Sequence, residues 1–326
     1  MLGVLGYLTA GLLSVAAAAG EATESATHKR VPFGMHAQGS YRPNDADRPT
    51  VCLIHGMNST GSCFRHLIGP LEAAGFGVVL YEYPDDQDLD RTAEDFQRDW
   101  VAFRRRQGET RPWAIVAHSM GGLVARAYVE GESYHGDVSD LILIAPPNRG
   151  ATLARAQALR QGIQGLRVVH NGREAEALAV LGEGLGAAAE DLTPGSAFLE
   201  RLNRRPRREG VRYHILAGDV GFLPERARRQ IEEQFRAIAQ RGGLLGGLTR
   251  LASGEIAALL DELTDGTGDG CVAVASTRLD GVDDHETIHA NHIELIRGPS
   301  LYPEPGPVAC MPFILSRLGA STAMGR

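Results

Sequence analysis

The sequence predicts an α/β protein: a doubly wound, mostly parallel sheet with helical cap insertions. Three observations carry that reading. Short apolar runs alternate with helical periodicity along the chain, the pattern of strands joined by crossover helices. One run, Trp113 to Ala117, passes through a serine at position 119 straight into a helical pattern at Leu123, Val124, Ala127 and Tyr128. Two stretches, 151–205 and 221–263, interrupt the alternation with Ala-, Leu-, Gly- and Arg-rich sequence. With 326 residues and 43% hydrophobic content the chain can bury a sizeable core. Its length allows one domain or two, and one main domain over 49–326 fits the pattern.

From the N-terminus, residues 2–19 are nearly all small or apolar and end in Ala16-Ala17-Ala18-Ala19-Gly20, which offers small-x-small cleavage sites. Residues 1–20 are therefore expected to be a signal peptide, and the protein to be secreted or periplasmic. The first basic side chain is Lys29, so the usual positive leader region is missing. An uncleaved membrane anchor and a misplaced start codon remain alternatives. Residues 21–48 read as a polar linker leading into an early strand. Strands are expected at 51–54, 78–82, 113–117, 141–145, 212–217 and 271–276. After residue 90, Ala93, Phe96, Trp100 and Phe103 share one helix face opposite charged residues, a core stripe rather than a binding surface. No later segment is long and apolar enough to span a membrane. The two interrupting stretches follow strands and are read as a helical cap, with a helical patch at 224–240 and a Gly-rich hinge at 241–247. Leu244 and Leu245 are expected to face substrate or a lipid surface, with packing on the core as the alternative.

The chemistry concentrates at Ile115-Val116-Ala117-His118-Ser119-Met120-Gly121-Gly122. A serine at the apex of a strand–turn–helix sits in a strained backbone, and the chain passes so close to itself that only small residues fit two positions either side. Gly121 fills one such position and Ala117 the other. A serine capping an ordinary helix is the competing reading of the pentapeptide alone. The other parts then appear in order. Upstream, Val51-Cys52-Leu53-Ile54 ends in His55-Gly56-Met57-Asn58, where the backbone N–H of Met57 could join that of Met120 in binding an oxyanion. Downstream come Gly268-Asp269-Gly270 and His289-Ala290-Asn291-His292-Ile293. The chain order Ser, Asp, His is that of the α/β-hydrolases and not of the chymotrypsin or subtilisin arrangements.

The chain resembles bacterial lipases and esterases of the α/β-hydrolase superfamily. The matching blocks are LIHGMNS, VAHSMGGLVAR, LILIAPPNRGA, DLTPGSAFLERLN, GDGCVAVAS and NHIEL, spread over residues 50–297. It departs from the pattern at Ala117, where a glycine is usual, and over 220–265. The resemblance implies Ser119 as nucleophile, Asp269 as acid and His292 as base. Asp219, at the end of the strand-like 211–218, rivals Asp269; the Asp-Gly pair and the run after it favour Asp269. His289 rivals His292; the Asn-His-hydrophobic block favours His292. His55 and His118 flank the site and are expected to shape it.

Four cysteines suit an oxidising compartment. Relatives often brace the loops carrying the acid and base with a disulfide, which implies pairing of Cys271 with Cys310; Cys52 reads as a small core residue. Some relatives also hold a calcium near the catalytic histidine. Asp280, Asp283 and Asp284 could serve, although an ordinary acidic loop is the simpler reading. Histidine and cysteine do not cluster at zinc-ligand spacing and no phosphate-binding glycine loop occurs, so no cofactor is expected.

A net charge of −7 gives no hint of nucleic-acid binding. Arginines cluster at 104–106 and at Arg201, Arg204, Arg205, Arg207 and Arg208, the second group reading as a solvated turn, with contact to an anionic lipid surface as the alternative. The expected activity is hydrolysis of carboxylic esters, small or lipid, through an acyl-enzyme. Acyl transfer or amide hydrolysis by the same residues, and a non-catalytic binding protein on a hydrolase scaffold, are the alternatives. Epoxide and haloalkane hydrolysis are disfavoured, because those enzymes carry an aspartate where Ser119 stands.

Overall fold

A computed structural model describes residues 31–153, 187–240, 254, 256–297 and 308–324. Seven strands form one sheet: β1 (Gly34–Ala37), β2 (Thr50–Ile54), β3 (Gly77–Glu82), β4 (Trp113–His118), β5 (Val138–Ile144), β6 (Arg212–Gly218) and β7 (His285–Ile288). They lie in the order β1-β3-β2-β4-β5-β6-β7. All neighbours are parallel except β1, which runs antiparallel to β3. The central strands are apolar throughout because helices cover both faces. Cys52, Ile54, Ile115, Ala117, Leu141 and Leu143 point to one face, under helices α2 (Leu89–Gln107) and α3 (Met120–Val129). Val51, Leu53, Val116, Ile142 and Ile144 point to the other, packed with α1 (Arg65–Ala73) and a C-terminal helix, Met311–Met324.

Helix α2 follows its sequence signals closely. The Asp88 carboxylate accepts from Arg91 N–H at 2.8 Å, Phe96, Trp100 and Phe103 are buried, and Gly108 ends the helix at φ 65°.

Five of the six expected strands form, with ends shifted by up to three residues. The run 271–276 does not. Asp269 N–H bonds to the Val272 carbonyl, the Asp269 carboxylate takes the N–H groups of Cys271 and Val272, and Val274–Thr277 is a short helical turn. Backbone groups used in that turn are withdrawn from any ladder. The strand next to β6 is instead His285-Glu286-Thr287-Ile288, a polar edge segment with no apolar run to announce it. Within the expected linker, Gly34–Ala37 is a strand of the sheet.

Of the first interrupting stretch, residues 154–186 lie outside the described residues. Its later part, 187–203, packs on the main core through Ala188, Leu192, Phe198, Leu199 and Leu202. In the second stretch, Leu223, Ala227, Ile231 and Leu260 form a small apolar cluster of their own, built from Leu223 with Glu225–Gln240 and the helical residues 256–263. Leu244, Leu245 and the Gly-rich hinge lie outside the described residues.

Of the second arginine cluster, Arg201 and Arg204 are exposed, but Arg205, Arg207 and Arg208 are not solvated turn residues. Arg205 donates to Ala127 O, and Arg208 donates to Val129 O and Gly131 O. Arg207 meets Glu130 at 3.3 Å, and Glu130 is also paired with the fully buried Arg126 at 3.0 Å. These cations cover the carboxyl end of α3, where the helix leaves its last carbonyls unpaired.

The expected Cys271–Cys310 disulfide is absent, and both thiols are free. Cys271 packs against the core beneath α2 and α3, whereas Cys310 is buried in the core on the opposite face of the sheet.

Candidate active site

Ser119 stands between β4 and α3 at φ 53° and ψ −128°, in the left-handed region that a residue with a side chain rarely adopts. Small neighbours make this possible. A Cβ added at Gly121 would lie 2.3 Å from His55 O and 2.7 Å from Ile54 O. One added at Gly56 would lie 2.9 Å from Ser119 Cβ, so the loop after β2 passes directly against the serine. Ala117 fits fully buried where a glycine is usual. The next residue in that loop, Met57, is half-buried, and neither its N–H nor that of Met120 meets an acceptor among the described residues.

His292 Nε2 lies 3.0 Å from Ser119 Oγ, and His292 Nδ1 lies 2.7 Å from Asp269 Oδ2. The Asp269 contact places the proton on Nδ1 and leaves the Nε2 lone pair facing the serine. Asp269 is 1% exposed. Its other oxygen accepts from Cys271 N–H at 3.0 Å and Val272 N–H at 2.8 Å, and its carbonyl accepts from His292 N–H at 3.0 Å. A buried carboxylate with this many donors is held in one orientation. Asn291 Oδ1 accepts from Ile293 N–H and Glu294 N–H at 3.1 and 2.9 Å, which caps the helical turn Glu294–Arg297 just after the histidine.

The rival pair is elsewhere. Asp219 and His289 bond to each other, Oδ1 to Nδ1, at 3.0 Å, and His289 is exposed. Neither is hydrogen-bonded to Ser119, whose Oγ faces His292 instead.

His55 and His118 frame the site in uncharged form. Burial pushes His118 well below the usual histidine range, and its Nε2–H donates to His292 O at 3.1 Å. Burial lowers His55 to about 4, outweighing a bond from Nδ1–H to Gly56 O at 2.9 Å. Its Nε2 lies 3.6 Å from Glu82, whose own carboxyl is pushed up by burial, so this is a polar contact and not an ion pair. Glu82 also accepts from Gly61 N–H at 2.7 Å, and Asp85 from Ser59 N–H at 3.1 Å, so two carboxyls at the end of β3 hold the loop that contains Met57. The sequence carried no sign of that support.

The three aspartates considered for calcium do not converge. Asp280 pairs with Arg149 at 2.9 Å; Asp284 pairs with Arg317 at 2.8 Å and His214 at 2.6 Å. Among the described residues no group of three or more His, Cys, Asp or Glu side chains is arranged to hold a metal ion.

A sheet of this order with a serine elbow after its central strand defines a hydrolase scaffold, and the comparisons agree. The profile of the alpha/beta hydrolase family matches residues 53–292, and the chain belongs to that family. Among solved structures, the mature form of the Bacillus licheniformis lipase BlEst2 superposes with a TM-score of 0.55 at 19% identity, covering 87% of this chain and 99% of that one. Its propeptide form gives the same TM-score at 18% identity, and there the match covers 87% of this chain but only 54% of the longer one. The Staphylococcus hyicus lipase gives 0.54 at 12% identity, covering 91% and 99%. At these identities the likeness is one of fold. No curated protein matches the chain.

Proposed function

We propose that the protein is a serine carboxylic-ester hydrolase. The observation that carries the reading is the unbroken line from Asp269 Oδ2 to His292 Nδ1 at 2.7 Å and from His292 Nε2 to Ser119 Oγ at 3.0 Å, with the serine held in a strained turn. Ser119 Oγ attacks the acyl carbonyl while His292 Nε2 takes its proton. The negative charge on the carbonyl oxygen is received by the N–H groups of Met57 and Met120. His292 then gives the proton to the departing alcohol, leaving an ester of Ser119. Water, deprotonated by the same imidazole, attacks that ester, and the acid leaves as Ser119 recovers its proton. Asp269 keeps the imidazole in the tautomer this needs and stabilises its charged form. Fold neighbours named as lipases are in keeping with an ester substrate. The apolar residues 2–19 support a secreted or periplasmic location, although residues 1–30 lie outside those described.

A p-nitrophenyl ester series from acetate to palmitate, run on the wild type and on Ser119→Ala, tests the reading. Turnover in the wild type and its near-complete loss in the variant are expected, with the chain-length optimum separating esterase from lipase. Equal turnover by both proteins, or none by either, would discard it in favour of amide hydrolysis, acyl transfer or a binding role.

A further inference from the structure

Glu262 is a carboxylate 1% exposed, near the end of the helical residues 256–263, that the ester chemistry does not use. Its two oxygens hold one loop and its carbonyl holds another. Oε1 accepts from Thr152 N–H, and Oε2 accepts from Leu153 N–H at 2.8 Å. These residues follow the exit of β5, where Arg149 N–H is tied to Ser276 O at 2.9 Å and Asn148 Nδ2 donates to Thr277 O at 2.7 Å. The Glu262 carbonyl accepts from Gly270 N–H at 2.9 Å, one residue past Asp269. The contact is close-packed: a Cβ at Gly268 would lie 2.4 Å from both Asp261 O and Glu262 O.

We propose that Glu262 is a positioning residue for the Ser119–His292–Asp269 relay, whose ionised carboxylate clamps the β5 exit loop while its main chain sets the Asp269 loop against His292. The proposal rests on the ester-hydrolase reading and adds a control to the same site. An ionised carboxylate offers acceptors on both oxygens, which is what two converging N–H groups require; a protonated one turns one oxygen into a donor.

The surrounding charges leave Glu262 open to titration. On its own helix Asp261 is engaged by Arg228 of Glu225–Gln240 at 2.6 Å. The acid loop presents Asp269, of the same sign, and the Cys271 thiol. The β5 exit loop presents N–H donors and Arg149, which is paired with Asp280 at 2.9 Å. No cation is paired with Glu262 among the described residues. Burial, reinforced by Asp269 and opposed by the Thr152 and Leu153 donors, pushes its carboxyl up to about 7.

The test is kcat and KM from pH 5 to 9 for the full chain and for Glu262→Gln and Glu262→Asp, on a p-nitrophenyl ester. In the wild type, kcat/KM is expected to fall as the pH drops through about 7, where Glu262 takes up its proton. Glu262→Gln should lose about 10- to 100-fold in kcat at pH 8 with KM little changed, and should lose that component of the pH dependence. Glu262→Asp should keep it. Wild-type kcat and an unaltered pH profile in Glu262→Gln would overturn the proposal. Should the variants not fold, amide exchange in the wild type still decides. Protection of Thr152 and Leu153, relative to intrinsic rates, should drop between pH 8 and pH 6, and constant protection would overturn the clamp. Labelling by a fluorophosphonate, present in the wild type and absent in Ser119→Ala, is scored separately. Its failure would refute the ester-hydrolase reading, whereas the exchange experiment tests Glu262 regardless.

Discussion

His118 donates from Nε2 to the carbonyl oxygen of His292 at 3.1 Å, with the two rings 4.7 Å apart. The residue before the elbow serine thus holds the backbone of the histidine that faces that serine. Because burial keeps His118 uncharged, its donor stays on the nitrogen the carbonyl needs. His118→Leu should leave a buried carbonyl unpaired, lowering stability by about 1–3 kcal/mol and lowering kcat more than it raises KM. Urea unfolding and steady-state kinetics on the same preparation check both effects.

The proposed acid and base can be separated from their rivals by substitution. Asp269→Asn should lower kcat by about 10⁴-fold, since the amide favours the wrong imidazole tautomer. Asp219→Asn and His289→Gln, which break only the 3.0 Å contact between those two side chains, should stay within about threefold of wild type. Kinetics of the single variants on one ester is the check, and a large loss in either of the latter would reverse the assignment.

Gly121→Ala should be damaging although it adds one methyl group. That methyl would meet the carbonyl oxygens of His55 and Ile54 at 2.3 and 2.7 Å, and backbone cannot step aside as a side-chain tip can. A loss of about 3 kcal/mol, with most of the activity, is expected in thermal unfolding and ester assays.

His55 should make stability depend on pH in a known direction. Its folded value of about 4 lies below the ordinary 6.5, so the folded state binds the proton less well than the unfolded chain. The stability this contributes is present above pH 6.5 and is lost as pH falls towards 4. His55→Gln has no such proton to bind. The stability difference between wild type and variant should therefore shift in the variant's favour by about 3 kcal/mol from pH 7 to pH 4, measured by urea midpoints.

Glu262 should act with the opposite sign. Its folded value of about 7 lies above the ordinary 4.5, so its contribution is present below pH 4.5 and is lost as pH rises through 7. Relative to wild type, Glu262→Gln should gain about 3 kcal/mol between pH 4.5 and pH 8. The same substitution is expected to slow turnover at pH 8, so unfolding and kinetics should move in opposite directions.

Local features were legible wherever a short segment sets its own conformation. The apolar runs of β2 to β6 and the stripe of Phe96, Trp100 and Phe103 were plain, because a buried strand or helix face must be apolar along its own length. Residues 271–276 misled for the same reason: an apolar run reads as a strand, while the Asp269 carboxylate takes its first N–H groups. The strand His285–Ile288 stayed hidden because an edge strand need not be apolar. Arg205, Arg207 and Arg208 read as solvated because their acceptors, the carbonyl groups and Glu130 at the end of α3, are about 77 to 79 residues away in sequence. Glu262 gave no signal, since a glutamate in a helical stretch reads as solvent-facing until its neighbours are known.

What the sequence determined by itself was the elbow: a serine between a buried strand and a helix, with small residues where the chain crosses itself, follows from backbone sterics within a few positions. It also narrowed the partners of Ser119 to two aspartates and two histidines. Only the tertiary structure chose among them, bringing Asp269 and His292 into line with Ser119 and setting Asp219 and His289 against each other. That choice depends on where four loops, separated by up to 173 residues, come to rest on one edge of the sheet. A hydrogen bond is decided by tenths of an ångström, which no local pattern encodes.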